Sequence, residues 1–279
     1  MNDSKEQLKN TNPDPAISDD NTATPRGIYL APNLVTTAAL FSGFFAILAG
    51  MNGQFEKACI AIFVAMILDG LDGRVARWTN TESEFGEQYD SLSDLVSFGL
   101  APALVTYQWA LVFMREYGVS YGRLGWMAAF VFVVCAAIRL ARFNSQINVT
   151  DSRFFTGLPS PSAAGLVAGM VWMLHDLDVS GKNIQIPAML ILLIAGLLMV
   201  SNIKYTSFKD FDVKSKVPHL AILGVGLVLA LVQVDPPKVL FAVFLVYTLC
   251  GPFYWFKNKN RSYKDLYSEE TINDKHTDS

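Results

Sequence analysis

The sequence predicts an all-α polytopic membrane protein with about eight transmembrane helices. Three observations carry that expectation. The 279 residues are 52% hydrophobic and only 17% charged, whereas a soluble domain carries about a quarter charged residues. Mean hydropathy is positive. The apolar residues fall in long charge-poor runs such as Leu95–Met114, Ile184–Ser201 and Val239–Phe256. A run of about 20 apolar residues matches a hydrocarbon core of about 30 Å at 1.5 Å per helical residue.

In chain order, residues 1–26 are polar and rich in Asp, Asn, Thr and Pro, and read as a disordered cytoplasmic tail. Residues 27–256 form the transmembrane domain, with spans expected near 33–53, 57–80, 85–114, 124–144, 160–177, 184–201, 217–234 and 237–256. Pro32-Asn33 opens the first span, Pro161 falls in the first turn of the fifth, and Pro236-Pro237 separates the last two. The polar segment 257–279 reads as a second cytoplasmic tail. With the N-terminus in the cytoplasm, 17 of the 22 Lys and Arg residues fall on the cytoplasmic side; only Lys57, Arg115, Arg123, Lys182 and Lys238 fall opposite. The positive-inside rule then puts both termini in the cytoplasm of a multi-pass protein of the cell (inner) membrane.

A net charge of −3 without a clustered basic surface argues against a nucleic-acid partner. Cys59, Cys135 and Cys250 sit inside apolar runs with no CxxC pair, so they are expected as buried small hydrophobes, not a zinc site or a disulfide framework.

Ionisable residues inside spans are costly and point to function. Here they concentrate in Asp69-Gly-Leu-Asp72-Gly73-Arg74-Val-Ala76-Arg77 and then Gly86, Asp90 and Asp94. Asp69 and Asp72 share a face at i, i+3, and Asp90 and Asp94 share one at i, i+4. The polar turn Thr79–Glu84 makes the two helices antiparallel neighbours, so two carboxylates from each can converge across one gap. Lys57 to Asp69 is about 18 Å of helix and Asp94 to Arg115 about 31 Å, which places both pairs near the cytoplasmic headgroups. Four carboxylates there repel unless cations offset them. Hard oxygen ligands at that density select Mg²⁺, Mn²⁺ or Ca²⁺, and two such ions would form a clamp suited to phosphoryl transfer. Gly73, Ala76 and Gly86 leave a slot beside the carboxylates where a base or a pyrophosphate can approach the backbone; close helix packing by small residues is the other reading.

The pattern D-x2-D-G-x2-A-R-x8-G-x3-D-x3-D resembles the motif of the CDP-alcohol phosphatidyltransferase family, and Asp69–Asp94 is similar to it at every fixed position. The resemblance implies a reaction in which a hydroxyl attacks the β-phosphorus of a CDP-linked lipid and releases CMP. It implies Asp69, Asp72 and Asp90 as metal ligands, Asp94 as general base and ligand of a second metal, and Gly73, Ala76, Arg77 and Gly86 as nucleotide-binding positions. It also implies a six-helix catalytic core followed by two further helices, CDP-diacylglycerol and membrane lipids as partners, and a homodimer.

The motif identifies the donor, not the acceptor. The segment around it (residues 80–103), Arg139-Leu-Ala-Arg142-Phe-Asn144 and Phe155-Thr-Gly157-Leu-Pro159-Ser-Pro161 resemble the serine-using members of the family, so L-serine is the expected acceptor. Serine brings a carboxylate to an already negative site, and Arg139, Arg142 and Arg153 are candidates to hold it or a phosphate. They equally suit topology anchors that snorkel to the headgroups. Two alternatives stay open: another alcohol, such as glycerol-3-phosphate or an inositol compound, and a divalent-cation transporter using the same aspartates.

Overall fold

A computed structural model describes residues 30–79, 83–146, 154–206 and 219–255. The expected tails at 1–26 and 257–279, and Arg153, lie outside the described residues.

Helix α1 (Leu30–Met51) ends at a Schellman cap. Gly53, at φ +72°, donates its N–H to the Gly50 carbonyl, and Gln54 donates to that of Ala49 at 2.9 Å. Glycine takes this left-handed position without a Cβ penalty. The chain reverses at once into α2 (Phe55–Thr79). The two helices bury Ala46 and Ala49 of α1 and Ala58, Ala61 and Ala65 of α2 in one core. Ser42 donates to the Ala61 carbonyl at 2.7 Å, a hydrogen bond that serves in place of water in an apolar interface.

Ser83 caps α3 (Glu84–Asp94): its hydroxyl accepts from the Gly86 N–H, and Glu84 and Glu87 complement the helix N-terminus. The third expected span, 85–114, is not one rod. Immediately after Asp94 the chain widens into a π-helical turn (Leu95–Leu100), resumes as α4 (Ala101–Trp109), and breaks at Ala110 into a 3₁₀ helix (Leu111–Tyr117) bent by 42°. Gly181 lies against the Trp109 carbonyl at this break, where a Cβ would overlap it. The long helix α5 (Val119–Gln146) follows.

Strands β1 (Phe154–Thr156) and β2 (Lys204–Thr206) form a small antiparallel pair that ties the entry of α6 (Ser160–Asp176) to the exit of α7 (Gln185–Val200). The C-terminal helices are α8 (His219–Val234) and α9 (Pro236–Trp255). Gly165 and Gly169 of α6 form a shelf on which Phe244 and Phe241 of α9 sit.

The helices fall close to the expected positions, but among the described residues only Pro32–Met51, Val119–Ser145 and Pro236–Trp255 are by themselves long and apolar enough to cross a bilayer, with the bent segment from Glu84 to Tyr117 a fourth. The physical reasons differ. α2 carries Asp69, Asp72, Arg74 and Arg77 in its C-terminal half. α6, α7 and α8 have 17, 16 and 16 residues, about 24–26 Å of helix against a core of about 30 Å. One further expectation is corrected: Cys59 and Cys135 are buried, but Cys250 is exposed, because it lies on the face of α9 that lines a large cavity.

Gly43 brings α1 onto the π-helical turn, where a Cβ would lie 2.7 Å from Ser97 Cα. Since that clash is with backbone, Gly43→Ala is expected to lower stability by about 1–3 kcal/mol. A lower melting temperature in detergent checks this; an unchanged one would show that α1 can move away freely.

Candidate active site

The C-terminal half of α2 and the last turns of α3 bring the four aspartates together. Oxygens of Asp69, Asp72 and Asp90 lie within 4.8 Å of one another. Asp94 is within hydrogen-bonding reach of Asp69, and Asp90 of Asp72. Two like charges about 4 Å apart repel by roughly 4 kcal/mol at an effective dielectric of 20, so the arrangement calls for positive charge. Arg139 of α5 supplies part of it, facing Asp94 and Asp69. A divalent cation fits the remainder. All the donors are hard oxygens, and Asp90 Oδ1 is the one buried side-chain oxygen among the described residues without a hydrogen-bond partner.

Two cavities meet at the carboxylates. A small one of about 150 Å³ is lined by Asn33, Thr36, Ala76, Ser83, Gly86 and Glu87. A large one of about 1620 Å³ reaches from Asp69, Asp94 and Arg139 along α9 to Lys238. Asp72, Gly73 and Asp90 line both, so they form the shared wall. A Cβ at Gly73 would meet nothing within 4 Å, which makes its place beside the carboxylates open space, not a helix contact. Gly86 is the reverse case, since its Cβ would lie 3.2 Å from the capping Ser83 hydroxyl.

The other expected residues divide. Ala76 lines the small cavity and Arg77 the large one, the Arg77 Nε donating to the Gly73 carbonyl at 2.9 Å. Arg139 lines the large cavity and donates to the Ser160 hydroxyl at 2.7 Å. Arg142 does not line it; its guanidinium donates to the Asn202 side chain at 2.9 Å. Arg74 is exposed and borders the large cavity.

Sequence reading missed Thr36. Its hydroxyl donates to Asp72 Oδ2 at 2.9 Å, with the Pro32 carbonyl also in reach, and its own carbonyl accepts from the buried Ser93 hydroxyl at 3.3 Å. A threonine in an apolar helix carries no local mark of such a role; only the packing of α1 across both acidic helices reveals it. Tyr89 bonds Thr37 at 2.9 Å, and Ser91 pairs with Asn144 of α5, so α3 is held on two sides.

Residues 29–201 match the family model described as CDP-alcohol phosphatidyltransferase. The chain is 38% identical over 242 residues to the CDP-diacylglycerol–serine O-phosphatidyltransferase of Helicobacter pylori strain J99, covering 84% of this chain and 98% of that protein. It is 31% identical over 226 residues to the protein of the same name from Methanocaldococcus jannaschii, covering 81% and 94%. It is 35% identical over 176 residues to the archaetidylserine synthase of Methanothermobacter thermautotrophicus, covering 62% and 68%.

If Thr36 orients the Asp72 carboxylate, Thr36→Val, which keeps the shape and removes the hydroxyl, is expected to weaken divalent-metal binding about 10- to 100-fold. Titration of the purified protein with Mn²⁺, followed by electron paramagnetic resonance, measures this directly. Unchanged affinity would restrict Thr36 to helix packing.

Proposed function

The chain belongs to the CDP-alcohol phosphatidyltransferase family, and from that premise we propose that it transfers the phosphatidyl group of CDP-diacylglycerol to the hydroxyl of L-serine, giving phosphatidylserine and CMP. The observation that carries the reading is the carboxylate wall shared by the two cavities. The small cavity, with Asn33, Thr36, Ser83 and Glu87 in its lining, suits the cytidine nucleotide, with Gly73, Ala76 and Gly86 at its edge and Arg77 beside it. The large cavity exceeds the roughly 300–1,000 Å³ of a small-molecule site, and Val239, Val243 and Val246 give it an apolar wall. That wall suits a diacylglycerol moiety entering sideways from the bilayer. The acceptor follows from the names of the relatives, which specify serine in bacterial and archaeal proteins alike.

Asp69, Asp72 and Asp90 would hold a divalent ion, Mg²⁺ or Mn²⁺, with Asp94 helping to hold a second. Such ions supply positive charge against the pyrophosphate oxygens and the departing CMP. The remaining steps belong to the chain itself. Asp94 accepts the proton of the serine hydroxyl; the serine oxygen bonds to the β-phosphorus as the bond from that phosphorus to the CMP oxygen breaks. Arg139, fixed by Ser160 beside Asp94, holds the serine carboxylate so that the hydroxyl points at phosphorus. Arg153 remains a further candidate for this hold, whereas Arg142 is engaged by Asn202.

In this reading all eight expected spans lie across the cell membrane within a single catalytic domain spanning 27–256, both tails are cytoplasmic, and the enzyme works as a homodimer. The shorter helices cross by local thinning of the bilayer or by flanking polar residues that reach the interface.

An acceptor panel tests the assignment. Purified protein with CDP-diacylglycerol and Mn²⁺ or Mg²⁺ is offered serine, glycerol-3-phosphate or inositol, and CMP release is followed. Serine-dependent release is expected, with a loss of about 10²–10⁴-fold in Asp94→Asn. Release with another alcohol instead of serine would keep the site and overturn the acceptor. No release with any alcohol from folded, metal-binding protein would overturn the transferase reading.

A further inference from the structure

Helix α9 lies outside residues 29–201, the part that matches the family model, yet it walls the cavity that holds the aspartates. Tyr247, Val243 and Cys250 line that cavity together with Asp94 and Arg139. Tyr247 is half-buried, and its phenol lies within electrostatic reach of the Arg139 guanidinium, which in turn faces Asp94 and Asp69. The polar groups across the cavity therefore run from Asp94 through Arg139 to Tyr247.

Packing against β2 and α6 holds the helix that carries the phenol. Tyr205 of β2, 1% exposed, donates its hydroxyl to the Thr248 carbonyl at 3.2 Å, and its ring lies 5.8 Å from that of Tyr247. Gly251 admits the Tyr205 ring against the α9 backbone, where any Cβ would overlap it. One turn earlier, Phe244 and Phe241 rest on the Gly165 and Gly169 shelf of α6. A helix that only met lipid would need none of these contacts, and a tyrosine so positioned loses little further freedom on binding a ligand.

We propose that Tyr247 is an acceptor-specificity residue, its phenol O–H donating a hydrogen bond to the carboxylate of the serine that Arg139 holds. The proposal rests on the serine-transfer reading and deepens it. Chemistry at phosphorus is common to every acceptor and is served by the acidic motif. Discrimination among alcohols requires groups that meet the part of the acceptor that does not react, and α9 presents such a group. A carboxylate has room for both donors: two oxygens that accept the guanidinium fork and one further O–H.

The test uses the full-length protein with CDP-diacylglycerol and Mn²⁺, reading initial rates of CMP release against serine and, separately, against the lipid. Tyr247→Phe, which removes only the hydroxyl, is expected to raise the KM for serine about tenfold, the KM for CDP-diacylglycerol staying unmoved. Tyr247→Gln, which keeps a donor, is expected to fall between Tyr247→Phe and wild type, and it carries the test should Tyr247→Phe lower the melting temperature. An unchanged serine KM in Tyr247→Phe overturns the role of Tyr247. A shift in the KM for the lipid in place of serine overturns it too, by assigning the phenol to the donor. Wild-type CMP release that is independent of serine is a separate result, and it overturns the underlying reading.

Discussion

Four aspartates share one gap between α2 and α3, and the rest of the molecule is arranged around that charge. Carboxylates this close do not remain ionised in a low-dielectric setting without cations. Arg139 meets part of the requirement from α5. The orphaned Oδ1 of Asp90 and the oxygen cluster of Asp69, Asp72 and Asp90 offer hard ligands with which a divalent ion would meet the rest. Positive charge gathered there is also what a pyrophosphate needs, so an ion bound there would both offset the charge of the helix pair and serve the proposed phosphoryl transfer.

Holding that gap at constant width falls to small residues and hydroxyls. Alanines on α1 and α2 let the backbones approach, and Gly43 allows α1 to touch the π-helical turn after Asp94. Hydroxyls of Thr36, Ser93 and Ser97 then bond across the contacts, to Asp72 and to the carbonyls of Thr36 and Ala39. In a bilayer the alternative partner for these groups is hydrocarbon, so each bond is hard to break. The π-helical turn leaves the α-helical register directly after the last aspartate, a position at which such turns frequently mark functional sites.

The two cavities separate two tasks along one wall. Asp72, Gly73 and Asp90 face both the small cavity and the large one, so a ligand with a polar nucleotide and an apolar tail can be divided at its phosphates. The first part of the chain builds the carboxylate wall and the small cavity. The large cavity is closed only when α9 is laid along α6, keyed by the phenylalanines on the glycine shelf and by Tyr205 under Gly251.

Legibility followed the range of the physics. Helical periodicity and apolar length are properties of neighbours in sequence, so the helix positions and the convergence of Asp69, Asp72, Asp90 and Asp94 could be read directly. Gly73 and Ala76 beside the carboxylates were equally readable, since i, i+3 and i, i+4 spacing places side chains on one face. The break at Ala110 and the exposure of Cys250 could not be read, because each depends on what another segment packs against: Gly181 in the first case, the cavity face of α9 in the second. The same holds for Thr36 at Asp72, for the diversion of Arg142 to Asn202, and for Tyr247 beside Arg139. By itself the sequence determined the class, the helices, the acidic motif and the family, all of them local patterns. Tertiary structure alone decided which hydroxyls, arginines and aromatics face the carboxylates, because such contacts join residues up to a hundred or more positions apart, and no period in the chain encodes them.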